Sequence, residues 1–285
     1  MEAVEALDAA RAPRDASVMT PLGRPWRAWL AVYGAPVVVS IALLLVWEAA
    51  VMVLRLPRVI LPAPSGVLGQ LVDNPGWLLN HASHTLFETL LGFGLGLLIG
   101  VPLAVAIVYS RFLESTFYTL LAVTNSIPKI AIAPLFIIWL GTGLAPKVAV
   151  AFMIALFPIV IDTVVGLRSV PPEMLDLARS MGGSHRKVFW KIRLPSALPN
   201  IFAGTKVAIS LAIVGAVVGE FVGADRGLGY VIMTSQGQFN TPRMFAAMTV
   251  LALIGIVLFY GVDYMERRTL PWHVSRRNDA PRHTP

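Results

Sequence analysis

The sequence predicts an all-α polytopic membrane protein, with six membrane-crossing helices and a charged loop between the fourth and the fifth. Three observations carry that prediction. Hydrophobic residues make up 56% of the 285-residue chain and charged residues only 14%, with a mean hydropathy of +0.71. A soluble domain of this size rarely carries such an apolar excess, which must face lipid. Six apolar segments approach the roughly 20 residues needed to cross a bilayer. Lys and Arg, finally, are strongly biased to one side of those segments.

In chain order the spans run about Tyr33–Leu54, Thr85–Tyr109, Phe117–Leu140, Val148–Val165, Pro199–Val222 and Met244–Tyr264. Residues 1–30 are rich in Ala, Arg and Pro, with no apolar core before Leu30, and read as a disordered cytoplasmic tail rather than a signal peptide. Residues 31–84 hold the first span and an extracytoplasmic segment. In that segment Pro64-Ser65 followed by Val67, Leu68, Leu71 and Val72 suggests a short amphipathic helix covering the outer helix ends. Residues 85–265 form a core of five helices, with the charged loop at 171–195, and residues 266–285 form a second tail. The third span contains Pro128 and Pro134 and should be kinked or broken.

Orientation follows from the basic residues. With the N-terminus inside, sixteen of the 23 Lys and Arg lie in the cytoplasm, and only Arg55, Arg58, Lys147, Arg226 and Arg243 lie outside. The net charge of +7 is therefore a topology signal rather than a nucleic-acid surface. The absence of cysteine excludes disulfides, thiolate metal sites and Cys nucleophiles. No His-Glu-x-x-His, Gly-x-Ser-x-Gly or phosphate-loop motif occurs, which disfavours an enzyme and leaves any ATP to a partner. An ion-coupled carrier would show inverted repeats and several acids near the midplane, and neither is visible.

Gly92, Gly96 and Gly100 in the second span, and Gly215, Gly219 and Gly223 in the fifth, make two smooth stripes. Such stripes let backbones approach closely in lipid, either as static packing or as a sliding, pore-lining surface. Glu48, Asp162, Lys206 and Glu220 are ionisable groups inside spans, where charge is a functional signal by default. Asp162 and Lys206 lie near the cytoplasmic ends of adjacent spans and are expected to pair. Glu220, before the polar stretch GADRGLGY, is a candidate gate or vestibule residue; snorkelling to the interface is the alternative. Lys129, after Pro128, is a candidate cavity-lining cation.

The loop is built for compactness. Pro171-Pro172 break the chain and Glu173 and Asp176 open a helix, acids being favourable near its positive end. Leu175, Ala178 and Met181 make a narrow apolar face, Gly182-Gly183 stop the helix, and Ser184 caps a second one. That second helix runs from about His185 to Arg193, with Pro195 ending it.

The order Asp176, Ala178, Gly182, Ile192, Leu194, Pro195 resembles the coupling-loop signature of ABC-importer membrane subunits. LPAPS, SIPKIAIAPLFIIWLGTG, FPIVIDTVVGL, GEFVGADRGLGYVI and ERRTLPW are similar to the nitrate/sulfonate/taurine class of type I importer permeases, over about Leu61–Trp272. Asp176-Leu177 replaces the commoner Glu-Ala of that pattern, which keeps the acid. The resemblance implies a permease in the bacterial inner membrane, with both termini cytoplasmic. It also implies a second copy of itself, cytoplasmic ATPase subunits that hold ATP-Mg, and an extracytoplasmic solute-binding protein, with no cofactor or metal in this chain. Residues Asp176, Ala178, Gly182, Ser184, Ile192, Leu194 and Pro195 would dock the ATPase. The stretch GAVVGEFVGADRGLGY leans towards a branch serving pyrimidine or riboflavin-type vitamin precursors.

Overall fold

The computed structural model describes residues 34–117 and 128–271. The chain divides after Arg55. The first unit contributes helix α1, Ala35–Val53, which has apolar residues on all sides and buries only Val51. The tail expected at residues 1–30 lies outside the described residues.

The second unit begins with α2, Pro64–Asp73, whose apolar face (Val67, Leu71) packs beside Leu78, Phe245 and Ala246. This is the short amphipathic helix expected ahead of the second span. Helix α3 then runs over Pro75–Tyr109, starting ten residues earlier than the span read from Thr85. At 1.5 Å per residue its 35 residues reach about 52 Å, longer than the roughly 30 Å of hydrocarbon, so its first turns stand clear of the bilayer.

The third expected span crosses residues 118–127, outside the described residues. Beyond them the chain enters at Pro128 in an extended conformation, makes a tight turn over Lys129–Ile132 and continues as α4, Ala133–Leu140. The break foreseen at the two prolines is present: Pro134 sits in the first turn of α4, where its missing N–H costs nothing. Residues 111–117 are also helical, and helices α5 (Leu144–Arg168), α6 (Pro172–Ser180), α7 (His185–Val188), α8 (Leu194–Gly223), α9 (Leu228–Gly237) and α10 (Thr241–Thr269) follow α4. Among the described residues, five helices are long and apolar enough to cross a membrane. Helix α10 continues past Tyr264 to Thr269, into the stretch read as a tail, because Arg267 pairs with Asp263 one turn back at 2.7 Å. Residues 272–285 lie outside the described residues.

Helix α5 is the axis of the bundle. Over half of its apolar window is buried, against 17% for α10. The two glycine stripes explain why: both pack on α5, on adjacent faces that meet at Ala151. A Cβ added at Gly92 would lie 2.5 Å from Ala151 Cβ, and one added at Gly215 would lie 2.6 Å from Ala151 Cα. Farther along, Gly96 and Gly100 face Ile159, while Gly219 faces Lys147 and Gly223 faces Ile137. The α3 stripe climbs α5 in the same direction and the α8 stripe in the opposite one, as alternating spans require. Phe93, Ala155, Ile159, Ala208, Ile209 and Ala212 fill the seam between the three helices.

Candidate functional site

Two features stand at opposite ends of α8. The first is the knob made by α6, α7 and the turn between them. Pro172 and Glu173 lie in the first turn of α6. The helix ends as a Schellman motif: Gly183 N–H donates to the Ala178 carbonyl at 2.9 Å, and Gly182 N–H to the Arg179 carbonyl at 2.9 Å. Gly182 has φ +75°, a left-handed conformation that a side chain disfavours. Gly183 is needed for space, since a Cβ there would meet the Ala178 carbonyl oxygen at 2.5 Å. Ser184 Oγ accepts from Lys187 N–H at 3.4 Å, capping α7. Asp176 is exposed and pairs with Arg179 at 3.1 Å.

One expectation fails here. Pro195 does not end the second helix. Residues Phe189–Arg193 form a wide π-helical turn, in which Leu194 N–H reaches the Phe189 carbonyl, and the chain passes without a break into α8. Ile192 lies in that turn, Leu194 opens α8, and Pro195 follows directly, where the widened i→i−5 spacing makes room for a residue with no N–H to donate. Helix is therefore continuous from His185 to Gly223.

No residue of α6 is buried. Leu175 and Ala178 turn back towards the body, but Met174, Leu177, Met181 and Trp190 are exposed, Met181 by 80%. Large apolar groups on an otherwise charged projection mark a contact surface.

The second feature is a buried polar cluster at the far end of α8. Glu220 is only 2% exposed, so it does not snorkel. Its carboxyl accepts from the Thr85 hydroxyl at 2.6 Å and from Gly229 N–H at 2.5 Å. Thr85 Oγ1 in turn accepts from Leu228 N–H at 2.8 Å, and His81 Nδ1 accepts from Gly227 N–H at 3.1 Å. Three consecutive N–H groups at the start of α9, which no helical carbonyl can reach, are thus each met by a side chain. His81 and Thr85 can both contribute because they lie one turn apart on α3. Gly227, at φ +113°, and Gly229 carry no Cβ because one at either position would strike the Glu220 carboxyl.

Beside this clamp, Lys147 Nζ bonds Glu88 Oε1 at 2.9 Å, both groups being buried, and the Glu88 carboxyl neighbours that of Glu220. Two carboxyls and one ammonium therefore share the pocket. Reading the sequence for ionisable groups inside spans misses Glu88 and takes Lys147 for an ordinary outer-loop charge. An acid within an apolar run needs a cation, and that signal points from Glu88 to the nearest outer-side lysine.

Lys206 does not pair with Asp162. Its ammonium lies 2.5 Å from Asp263 Oδ1 and 2.5 Å from Glu266 Oε2, both on α10. The reason is helical phase: Asp162 packs on Gly204, and positions 204 and 206 are about 200° apart around α8. Lys129 opens the turn before α4, but its side chain lies outside what the structure describes.

The geometry has relatives. Residues 92–271 match the family described as binding-protein-dependent transport system inner membrane component. The riboflavin transport system permease protein RibX of Chloroflexus aurantiacus is 39% identical, over 85% of this chain and 91% of its own. The formylaminopyrimidine transport permease protein ThiX of Halalkalibacterium halodurans is 33% identical, over 83% and 95%. The taurine transport system permease protein TauC of Escherichia coli is 27% identical, over 81% and 86%. Among solved structures, a chain of the MetNI methionine ABC transporter in inward-facing conformations aligns with a TM-score of 0.60 and 22% identity, over 68% of this chain and 96% of that one. At that identity the likeness speaks for the fold alone. A helical membrane bundle that shares this fold, and is related along most of its length to transport permeases, belongs to the binding-protein-dependent transport system inner membrane components and is a multi-pass permease of the ABC importer type.

Proposed function

We propose that this chain forms half of the membrane pore of an ATP-driven importer, with a second copy supplying the other half. Cytoplasmic ATPase subunits bind ATP-Mg and do the hydrolysis, an extracytoplasmic binding protein delivers solute, and the pore opens to each side in turn. Both termini and the knob face the cytoplasm, as the basic residues indicate. The observation that carries this reading is the knob, a capped helix pair with Met174, Leu177, Met181 and Trp190 exposed and joined without a break to a membrane span. Asp176, Ala178, Gly182, Ser184, Ile192, Leu194 and Pro195 shape or support that docking element. The test uses the missing cysteines: Ser184→Cys is cross-linked in native membranes. Capture of an ATPase with a phosphate-binding loop is the expected result. Labelling from the cytoplasm without such capture overturns the reading and favours an ion-driven carrier.

The solute is a small organic or inorganic molecule. The identities of 39% and 33% to permeases named for riboflavin and formylaminopyrimidine favour a flat heteroaromatic vitamin precursor. The nitrate/sulfonate/taurine class is the second reading, supported by 27% identity to the taurine permease. Uptake of labelled riboflavin or pyrimidine precursor that an excess of taurine fails to compete away is the expected outcome.

Glu220, with Lys129, is assigned to the solute pathway or its outer gate. Glu220→Gln replaces one of two accepting oxygens with an NH₂ donor, so the Thr85 hydroxyl must turn to accept from it and its own hydrogen must go to the His81 carbonyl, while the remaining oxygen keeps the Gly229 N–H. The reversed bond weakens the clamp by about 1 kcal/mol. Solute flux in proteoliposomes should change several-fold with ATPase co-purification unaltered; unchanged flux would reduce Glu220 to a packing role.

A further inference from the structure

Between the end of α3 and the inner side of the knob lies a cavity of about 250 Å³. Arg111, Arg179, Arg193 and His185 line it, together with Tyr109 and Leu175. No Asp or Glu is among its lining residues. Arg179 shares its charge with the exposed Asp176. Among the described residues neither Arg111 nor Arg193 is paired with a carboxylate. Arg193 is instead held in the wall by Tyr109, its guanidinium lying 5.4 Å from the ring centroid, and Tyr109 is in turn edged by Phe189 at 6.0 Å. Guanidiniums gathered around one hole repel each other, and an anion there would relieve that repulsion. Their planar forks match a phosphate's oxygens with paired hydrogen bonds.

The cavity's position selects the source of the phosphate. It lies where the apolar run of α3 stops: Tyr109 lines it and meets Phe189, which in turn meets the exposed Trp190, and the exposed Phe112 follows the lining Arg111 in sequence. That is the composition of a membrane–water boundary, and basic pockets there bind lipid head groups. It also lies behind the knob. Leu175 and Val188, which line it, face the body, whereas Met174, Leu177 and Met181 are exposed. A subunit docked on those exposed groups leaves the cavity open to lipid. We propose that this cavity binds the phosphate of an anionic phospholipid, wedging a head group between α3 and the knob. The inference rests on the cytoplasmic orientation proposed above, which labelling of Ser184→Cys checks separately.

The test is native mass spectrometry of the full-length permease in detergent, titrated with phosphatidylglycerol or phosphatidylcholine. Phosphatidylglycerol should be retained over phosphatidylcholine, and Arg111→Gln with Arg193→Gln should cut that retention roughly tenfold or more. Arg186→Gln, on the exposed side of α7 and outside the cavity, should leave it unchanged. A double variant that is inserted and monodisperse yet keeps its lipid overturns the proposal. So does equal loss in Arg186→Gln, which would mean diffuse attraction. Displacement of the lipid by millimolar inorganic phosphate would identify a soluble phosphate as the occupant instead. Loss of ATPase co-purification with lipid retention intact would assign the arginines to the ATPase.

Discussion

Gly182→Val is expected to stop solute uptake while leaving the permease in the membrane at its normal level. Space is not the reason, since a Cβ at Gly182 meets no atom within 4 Å. The reason is φ +75°, which costs an ordinary L-residue about 1–2 kcal/mol and a β-branched one more. The Schellman bonds from Gly182 and Gly183 are lost if the backbone relaxes. In a packed core that cost would be absorbed, but α6 buries no residue and has little else to hold its shape. A penalty of about 2 kcal/mol shifts a local folding equilibrium about 30-fold, enough to melt the knob while the spans stay intact. Gly182→Asn provides the control, because Asn tolerates the left-handed region. Uptake per inserted permease should fall more than tenfold for Val and only slightly for Asn. Normal uptake in the Val variant would remove the knob from the coupling mechanism.

The second large effect is on stability. Lys147→Met leaves the Glu88 carboxylate buried beside Glu220 without its cation. Removing one partner of a buried ion pair costs about 3–5 kcal/mol, far more than the pair contributes against an apolar replacement. The variant should lose most of its folded yield in detergent and melt well below the parent. Adding Glu88→Gln should recover most of the loss, because the stranded charge is then gone. A double variant as unstable as Lys147→Met alone would mean that Lys147 acts through packing against Gly219.

What the sequence discloses divides by distance along the chain. Pro172, Glu173, Gly182, Gly183 and Ser184 declare the knob because capping is chemistry among residues a few positions apart, and the structure places each cap where spacing predicts it. Helical periodicity also reveals both glycine stripes. It does not say that they press on the same residue, Ala151, since period identifies a face and not what meets it. The polar cluster is less legible still. Glu88 and Lys147 are 59 positions apart, and Thr85 and Glu220 are 135 apart. The expected Asp162–Lys206 pair fails because depth in the membrane is readable from sequence, whereas angular position around α8 has to be worked out residue by residue. Pro195 misleads because the wide turn before it absorbs the proline that would otherwise break a helix.

That same turn makes α7, the second helix of the knob, and the fifth span a single strut of 39 residues, about 58 Å long at 1.5 Å per residue. A strut of this length is a lever: a tilt of about 5° about one end carries the other through about 5 Å, nearly one helical pitch. Its far end holds Glu220, whose hydrogen bonds survive displacements of only a few tenths of an ångström. On the docking role proposed above, a push on α7 would reach the far end of the strut as strain on the hydrogen bonds of Glu220 to Thr85 and Gly229, so that movement of the knob and release of the α9 turn would be read at the two ends of the same beam.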